Sequence, residues 1–287
     1  MFKVITNSMD EVNKTMQKHA FLTANALKLL ACALMFVDHI HEFFNIYGAP
    51  LWLKIPGRLV FPLFLFLAAD SFHYTRNRKA YMTRLFLGSL TMVVGTLIIS
   101  QLFPNDQIVI ANNAFSTFFV TGIYVIAYDW IKDGVVKQDW SRLFKGIGLA
   151  LLPIVAVLPV LFVLGPGMEM LQALPSQLSS LIISLVMLIP NILTVEGGFL
   201  FVILGLAFYI LRKNRTLQIL ALMVISYIAF LLEPSGISYW MVLAAIPMAF
   251  YNGQKGGGSR SFFYIFYPVH IYALYLISTL FGPILFK

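Results

Sequence analysis

The chain has 287 residues, 60% of them hydrophobic and only 11% charged, with a formal net charge of +8. A soluble domain carries roughly 45–50% apolar and about 25% charged residues, so a soluble globular protein is excluded, and many apolar runs are long enough to cross about 30 Å of hydrocarbon. The basic residues lie in short loops, the pattern of a membrane protein's cytoplasmic loops rather than of a nucleic-acid surface, and the single cysteine, Cys32, excludes an intrachain disulfide and a cysteine-built metal site.

The first twenty residues, "MFKVITNSMDEVNKTMQKHA", are polar and have no apolar core. They are expected to form a cytoplasmic tail rather than a cleaved signal, with residues 21–287 as one transmembrane domain. Apolar runs then predict spans at residues 21–44, 57–74, 81–103, 112–131 and 146–164. Residues 165–194 are interrupted by Pro175 and Pro190, and "SSLIISLVMLIPNIL" is short for a crossing. Further runs follow at 197–211, 217–232, 237–251 and 261–286, the last after the glycine-rich basic linker "NGQKGGGSR". The fold class expected is all-α, a polytopic membrane protein of about ten transmembrane helices, nine to eleven being the range.

Basic stretches at Arg76–Lys79, Lys132–Lys145, Arg212–Arg215 and Lys255–Arg260 should all be cytoplasmic, which places the amino terminus inside the cell membrane. That arrangement needs an even number of crossings between Lys145 and Arg212, where three candidate segments lie. Either the proline-flanked segment is re-entrant or one loop breaks the charge rule.

The first span, "LKLLACALMFVDHIHEFF", holds Lys28, Asp38, His39, His41 and Glu42. A charged group at a bilayer centre costs about 2.5–3.5 kcal/mol on insertion scales, so these groups are expected to face an interior. Lys28 and His39 are eleven positions apart, which returns to nearly the same helix face about 16 Å further along. Cys32 and Met35 lie between them on that stripe, and Asp38 and Glu42 share a neighbouring one. One reading is a cationic anchor at one end and a general base at the other. The blander reading is a snorkelling Lys28 and a packed histidine. Adjacent residues diverge by about 100°, so the partner of His39 should come from another helix rather than from Asp38.

Arg58 opens the second span and can steady an anion or anchor the interface. Asp70, deeper in it, suits a structural ion pair better than chemistry. The cluster Arg76, Arg78, Lys79 and Arg84 suits either a phosphate-rich ligand or anionic lipid. In the last span, "FYIFYPVHIYALYLI", His270 follows Pro268 among Tyr264, Tyr267, Tyr272 and Tyr275. Glu196, in "TVEGGFLF", is a site carboxylate or an interfacial one. No Walker loop, HExxH, GxSxG or metal-ligand spacing occurs, so no metal is expected.

Together "ALKLLACALMFVDHIHEFF", "GRLVFPLFLFLAADSFHYTRNRKAYMTRL" and "FYIFYPVHIYAL" resemble the TraX family, membrane acetyltransferases of conjugal transfer whose namesake acetylates the amino terminus of pilin. TraX-like proteins are similar in turn to the wider class of transmembrane acyltransferases, which carry a basic residue, ten intervening positions and a histidine. The resemblance implies His39 as catalytic base, with Arg58 near the reacting end; Asp38 and His270 are further catalytic candidates read from the residues themselves. It implies Lys28 and the Arg76, Arg78, Lys79 and Arg84 cluster near acetyl-CoA as acyl donor. The wider class usually has Arg where Lys28 stands, so the bidentate fork is lost here. The acceptor implied is an amine or hydroxyl, including a peptide or pilin-like protein. Two other functions fit the residues alone: a proton-coupled transporter or flippase using Asp38, His39 and Asp70, and a lipid-binding scaffold without chemistry.

Overall fold

A computed structural model describes residues 11–258 and 260–285, with only the backbone of residues 260, 261 and 285. The first ten residues of the expected tail, the Arg260 side chain of the last basic stretch and the final residue of the expected last span lie outside this description. Among the described residues every regular element is helical, apart from an isolated parallel bridge between Leu22 and Tyr251. The helices are α1 (residues 11–18), α2 (Ala24–Phe44), α3 (Lys54–Gly57), α4 (Val60–Tyr74), α5 (Arg78–Leu102), α6 (Ala114–Lys137) and α7 (Trp140–Val155). They continue with α8 (Val157–Leu164), α9 (Met168–Gln172), α10 (Ser176–Met187), α11 (Gly198–Ile210), α12 (Arg215–Leu232), α13 (Ala245–Ala249) and α14 (Arg260–Leu285). Seven helical stretches among the described residues are long and apolar enough to cross a membrane, and three shorter apolar ones accompany them. The protein is an all-α, multi-pass membrane protein. Exposed leucines and valines such as Leu87, Val94, Leu151, Leu152, Val155 and Leu158 give α5, α7 and α8 the apolar outer faces that lipid requires.

The chain divides into two compact units, Met1–Tyr74 with Ala207–Lys287, and Thr75–Leu206. In the first, α2 packs against α3, α4 and α14. Thr23 opens α2 by accepting a hydrogen bond from the Ala26 amide. The stripe Leu27, Ala31, Cys32, Met35, Asp38, His39 and Phe43 is buried, whereas Leu29, Leu30 and Phe36 on the other side are exposed. The polar residues of the helix thus lie on its protein-facing side, as a 3.6-residue period demands.

Contacts along the α2–α14 seam fix these two helices as parallel neighbours. Lys28 Nζ lies 5.3 Å from the Phe263 ring centroid, and His39 meets His270. Ser278 Oγ donates to the Phe43 carbonyl at 2.5 Å, and Tyr47 OH donates to the Ser278 carbonyl at 3.2 Å. Beside Tyr47, Gly282 leaves no room for a Cβ, which would overlap the tyrosine ring. The α14 helix runs without interruption through Pro268.

In the second unit α6 and α7 form a close hairpin that turns at Gln138, whose φ is 55°. The awkward region of the sequence becomes α10 and α11, of 12 and 13 residues. At 1.5 Å per residue each reaches only about 18–20 Å, short of the hydrocarbon thickness. Residues 188–197 between them are irregular, and their polar groups are satisfied by side chains. Asn191, 1% exposed, accepts from the Leu193 and Thr194 amides and donates to the Ile189 carbonyl and to Thr194 Oγ1. Thr117 Oγ1 donates to the Glu196 carbonyl, and the Asn113 amide donates to Glu196 Oε2. Non-helical backbone is tolerated at depth only when it is satisfied in this way. Replacing Asn191 with Leu removes both backbone acceptance and donation, so Asn191→Leu should lower stability by about 2–3 kcal/mol or more. A fall in the thermal unfolding midpoint of detergent-solubilised protein checks this; an unchanged midpoint would show that the loop does not depend on Asn191.

Candidate functional site

The site is built where α2 meets α14. His39 Nδ1 lies 2.7 Å from His270 Nε2, and His270 Nδ1 lies 2.7 Å from the Phe266 carbonyl oxygen one turn back on α14. The two histidines are 4% and 5% exposed. Their ring centroids are 4.9 Å apart with planes 24° from parallel. With nitrogens 2.7 Å apart, the rings lie edge to edge along the hydrogen bond rather than face to face. The Phe266 ring covers the His270 ring at 4.5 Å and 11°, and Tyr267 meets it edge-on at 6.0 Å.

This chain of contacts assigns the protons of the neutral pair. A carbonyl oxygen only accepts, so His270 Nδ1 must carry hydrogen and donate to Phe266. His270 Nε2 then accepts, so His39 Nδ1 must donate to it. The lone pair of His39 is thereby fixed on Nε2. A backbone carbonyl on α14 sets which atom of a histidine on α2 is basic.

Around that atom the charges are arranged. Glu42 Oε2 lies 3.5 Å from His39 Nε2, one turn along the same helix. Arg58 Nη2 donates to both oxygens of Asp38, at 3.3 and 3.2 Å. Gly57 makes this pair possible, because a Cβ there would overlap the Asp38 carboxylate. His41 is bound elsewhere, its Nδ1 lying 3.0 Å from the Ala49 carbonyl. Although no metal-ligand motif is visible in the sequence, Asp38, His39 and Glu42 place one donor atom each within 4.8 Å of one another. Arg58 engages both Asp38 oxygens, so these residues leave a two-ligand set beside a guanidinium. That is fewer than the three protein ligands of a catalytic zinc site or the oxygen shell of a hard cation. The cluster therefore fits an ion-paired pocket better than a metal centre.

The other residues singled out in the sequence fall into two groups. Lys28 is half-buried over Phe263, on the protein-facing side of α2. Asp70 receives a 2.9 Å hydrogen bond from Tyr251 OH. Arg215 Nη1 donates to the Met248 and Tyr251 carbonyls, and its guanidinium lies between the Phe66 and Tyr251 rings. All of these belong to the unit that holds the histidines. Arg76, Arg78, Lys79 and Arg84 belong to the other unit. There Arg78 is paired with Asp129 at 2.6 Å, Arg84 lies 6.0 Å from the Tyr81 ring centroid, and Arg76 and Lys79 are exposed.

A family model described as TraX protein matches residues 23–278, nearly the whole chain. The chain belongs to the TraX protein family. The probable fimbrial assembly protein FimC, serogroup H1, of Dichelobacter nodosus is similar, with 29% identity over 277 residues, covering 89% of this chain and 96% of that protein. No solved structure matches this TraX-family chain.

Three components of the site escaped the sequence. Glu42 carried a signal, its three-residue spacing from His39, which places the two on one helix face. Gly57 stood at the edge of a predicted span with nothing to mark it, and the Phe266 carbonyl has no side-chain signature at all. The Gly57–Asp38 contact makes a specific prediction for this TraX-family protein. Gly57→Ala should lower the unfolding midpoint by several degrees in the native background. In an Asp38→Ala background the same change should cost much less, because the colliding carboxylate is gone. Equal losses in both backgrounds, measured by thermal melts, would disprove the contact.

Proposed function

We propose that this TraX-family protein is a membrane-embedded acetyltransferase that moves acetyl from acetyl-CoA, on the cytoplasmic side, to an amine or hydroxyl acceptor. The observation that carries the reading is the basic Nε2 of His39, fixed by the His270–Phe266 chain in a buried, ion-paired pocket. In the proposed step His39 Nε2 removes the proton from a neutral amine as its nitrogen attacks the thioester carbonyl. The new C–N bond forms, the C–S bond breaks, and the leaving thiolate takes the proton from His39. The imidazolium that forms in between is favoured by Glu42 and by His270, which accepts from His39 Nδ1. Arg58, held beside the site by Asp38, is the cation available to a developing oxyanion. No metal is called upon.

A peptide amino terminus on a pilin-like subunit is the favoured acceptor, supported by the fimbrial assembly name of the Dichelobacter relative. A proton-coupled transporter using Asp38, His39 and Asp70 has less support, because Asp38 is bound to Arg58 and Asp70 to Tyr251. The test is to incubate protein reconstituted in nanodiscs with labelled acetyl-CoA and candidate peptides and to follow the label by mass spectrometry. Transfer is expected, and His39→Ala should abolish it while leaving the protein folded, with a cooperative melt at a lower midpoint. His270→Ala should lower kcat by about 10²–10⁴-fold, the range for a positioned general base, with little change in the KM for acetyl-CoA. Full transfer by His39→Ala would remove the base; proton-dependent uptake without acetyl-CoA binding would favour transport instead.

A further inference from the structure

The mechanism above leaves one motif unused, the segment "YNGQKGGGSR" between α13 and α14. Its root is rigid: Tyr251 is 4% exposed and held by Asp70 and Arg215. From there the chain lies along the start of α2. The Phe21 and Leu22 amides donate to the Phe250 carbonyl, and the Asn252 amide donates to the Leu22 carbonyl. The Ala24 and Asn25 amides donate to the Gln254 and Lys255 carbonyls at 2.8 and 3.0 Å. With Ala26 bonded to Thr23, the first amides of α2 are already engaged, so the helix end itself has little left for an anion.

The donors are displaced onto the loop. Because the Gln254 and Lys255 carbonyls turn toward α2, the Lys255 and Gly256 amides, antiparallel to them across trans peptides, turn away from it. Among the described residues the amides of Gly256, Gly257 and Gly258 meet no protein acceptor. Gly256 and Gly258 have φ of +71° and +149°, and a Cβ on either would overlap the Thr23 or Asn25 side chain. The two outward amides, of Lys255 and Gly256, open a glycine stretch whose backbone can close around an anion. Two cations stand at this stretch from separate elements. Lys255 is an exposed member of the loop, and Lys28 lies three residues beyond the Asn25 against which Gly258 rests, on the same face of α2. Lys28 is not directed to lipid but sits over Phe263, in the seam that leads to His39 and His270. The rise from Lys28 to His39 is about 16 Å, within the roughly 15–20 Å reach of an extended pantetheine arm.

We propose that the Gly253–Gly258 loop, with Lys255 and Lys28, holds the phosphate groups of the acyl donor. This rests on the acetyl-CoA reading above, and it draws its anion site from the unit that contains the histidines rather than from the Arg76–Arg84 cluster.

Adenosine 3′,5′-bisphosphate is the probe, titrated calorimetrically against the full chain in phosphatidylcholine nanodiscs, alongside acetyl-CoA. Lys255→Gln should weaken binding of both by about tenfold or more, the effect of losing a charge-assisted hydrogen bond. It should raise the KM for acetyl-CoA by the same factor without changing kcat, and should leave turnover of phosphate-free S-acetylpantetheine unchanged. Gly256→Ala should weaken bisphosphate binding similarly; its melting curve separates loss of the cradle from loss of the fold. Lys18→Gln, which removes an exposed cation outside the loop, should bind as wild type. Wild-type affinity for the bisphosphate in Lys255→Gln, with acetyl-CoA still bound by the native protein, overturns the loop assignment alone. A Lys255→Gln defect confined to phosphatidylglycerol vesicles overturns it in favour of a lipid headgroup. Failure of the native protein to bind either acetyl-CoA or the bisphosphate overturns the donor reading and this inference with it.

Discussion

The hydrogen-bond chain from the Phe266 carbonyl through His270 to His39 is the constraint on which the site depends. It works because each member has only one role available. The carbonyl cannot donate, so His270 must, and the proton assignment propagates to Nε2 of His39 without any carboxylate behind the ring. A carboxylate partner would add a second buried charge in a low-dielectric interior. A carbonyl orients the ring at lower electrostatic cost, and the Phe266 ring stacked on His270 holds the same geometry from the apolar side. The arrangement is sensitive to helix register. The His39–His270 bond, the Ser278–Phe43 bond and the Tyr47–Gly282 contact are spread along one parallel seam, so a slip of α14 by one residue would rotate His270 by about 100° away from His39.

This seam also explains how so apolar a helix as α2 carries so many ionisable groups. The cost of a charge in the membrane falls on groups that meet lipid or remain without partners. Asp38 is bound by Arg58, His39 by His270, and His41 by the Ala49 carbonyl, while Lys28 faces Phe263. The lipid-facing positions of the same helix are Leu29, Leu30 and Phe36. Polar residues therefore interleave with apolar ones in the sequence yet fall on the protein-facing side of the helix, beside Leu27, Ala31, Met35 and Phe43.

Periodicity and hydrophobic run length made the helices legible, and segment ends shift by up to six residues between expectation and structure, as where α6 runs on to Lys137 and α7 starts at Trp140. The stripe from Lys28 to His39 was legible for the same reason, since helical spacing fixes which residues share a face. Partners across the seam were not. Nothing local in "FYIFYPVHIYAL" says that His270, rather than Tyr267 or Tyr272, meets His39, because that depends on the axial register of two helices more than two hundred residues apart. Backbone groups were invisible for a deeper reason: every residue has a carbonyl, so the one at Phe266 has no signature. The α10–α11 region resisted reading because Pro175 and Pro190 mark where regular structure stops, but the groups that satisfy the irregular stretch, the Thr117 hydroxyl and the Asn113 backbone amide, come from the distant start of α6.

The two compact units differ in what they ask of their polar residues. In the second, Asn191, Thr117 and Asn113 satisfy backbone and carboxylate groups around a broken helical segment, and Arg78 closes on Asp129. In the first, polar groups converge on both ends of a single element. On the proposed reading α2 is then a spacer: one end is fastened to a glycine-rich loop by backbone hydrogen bonds, and the other presents a base of defined tautomer. A helix is stiff along its axis, so the separation between phosphate contacts and basic nitrogen is set by residue count rather than by side-chain adjustment. Selection of the donor would then follow from length: a carrier whose arm matches the rise delivers its thioester to His39, and one with a shorter arm does not reach it.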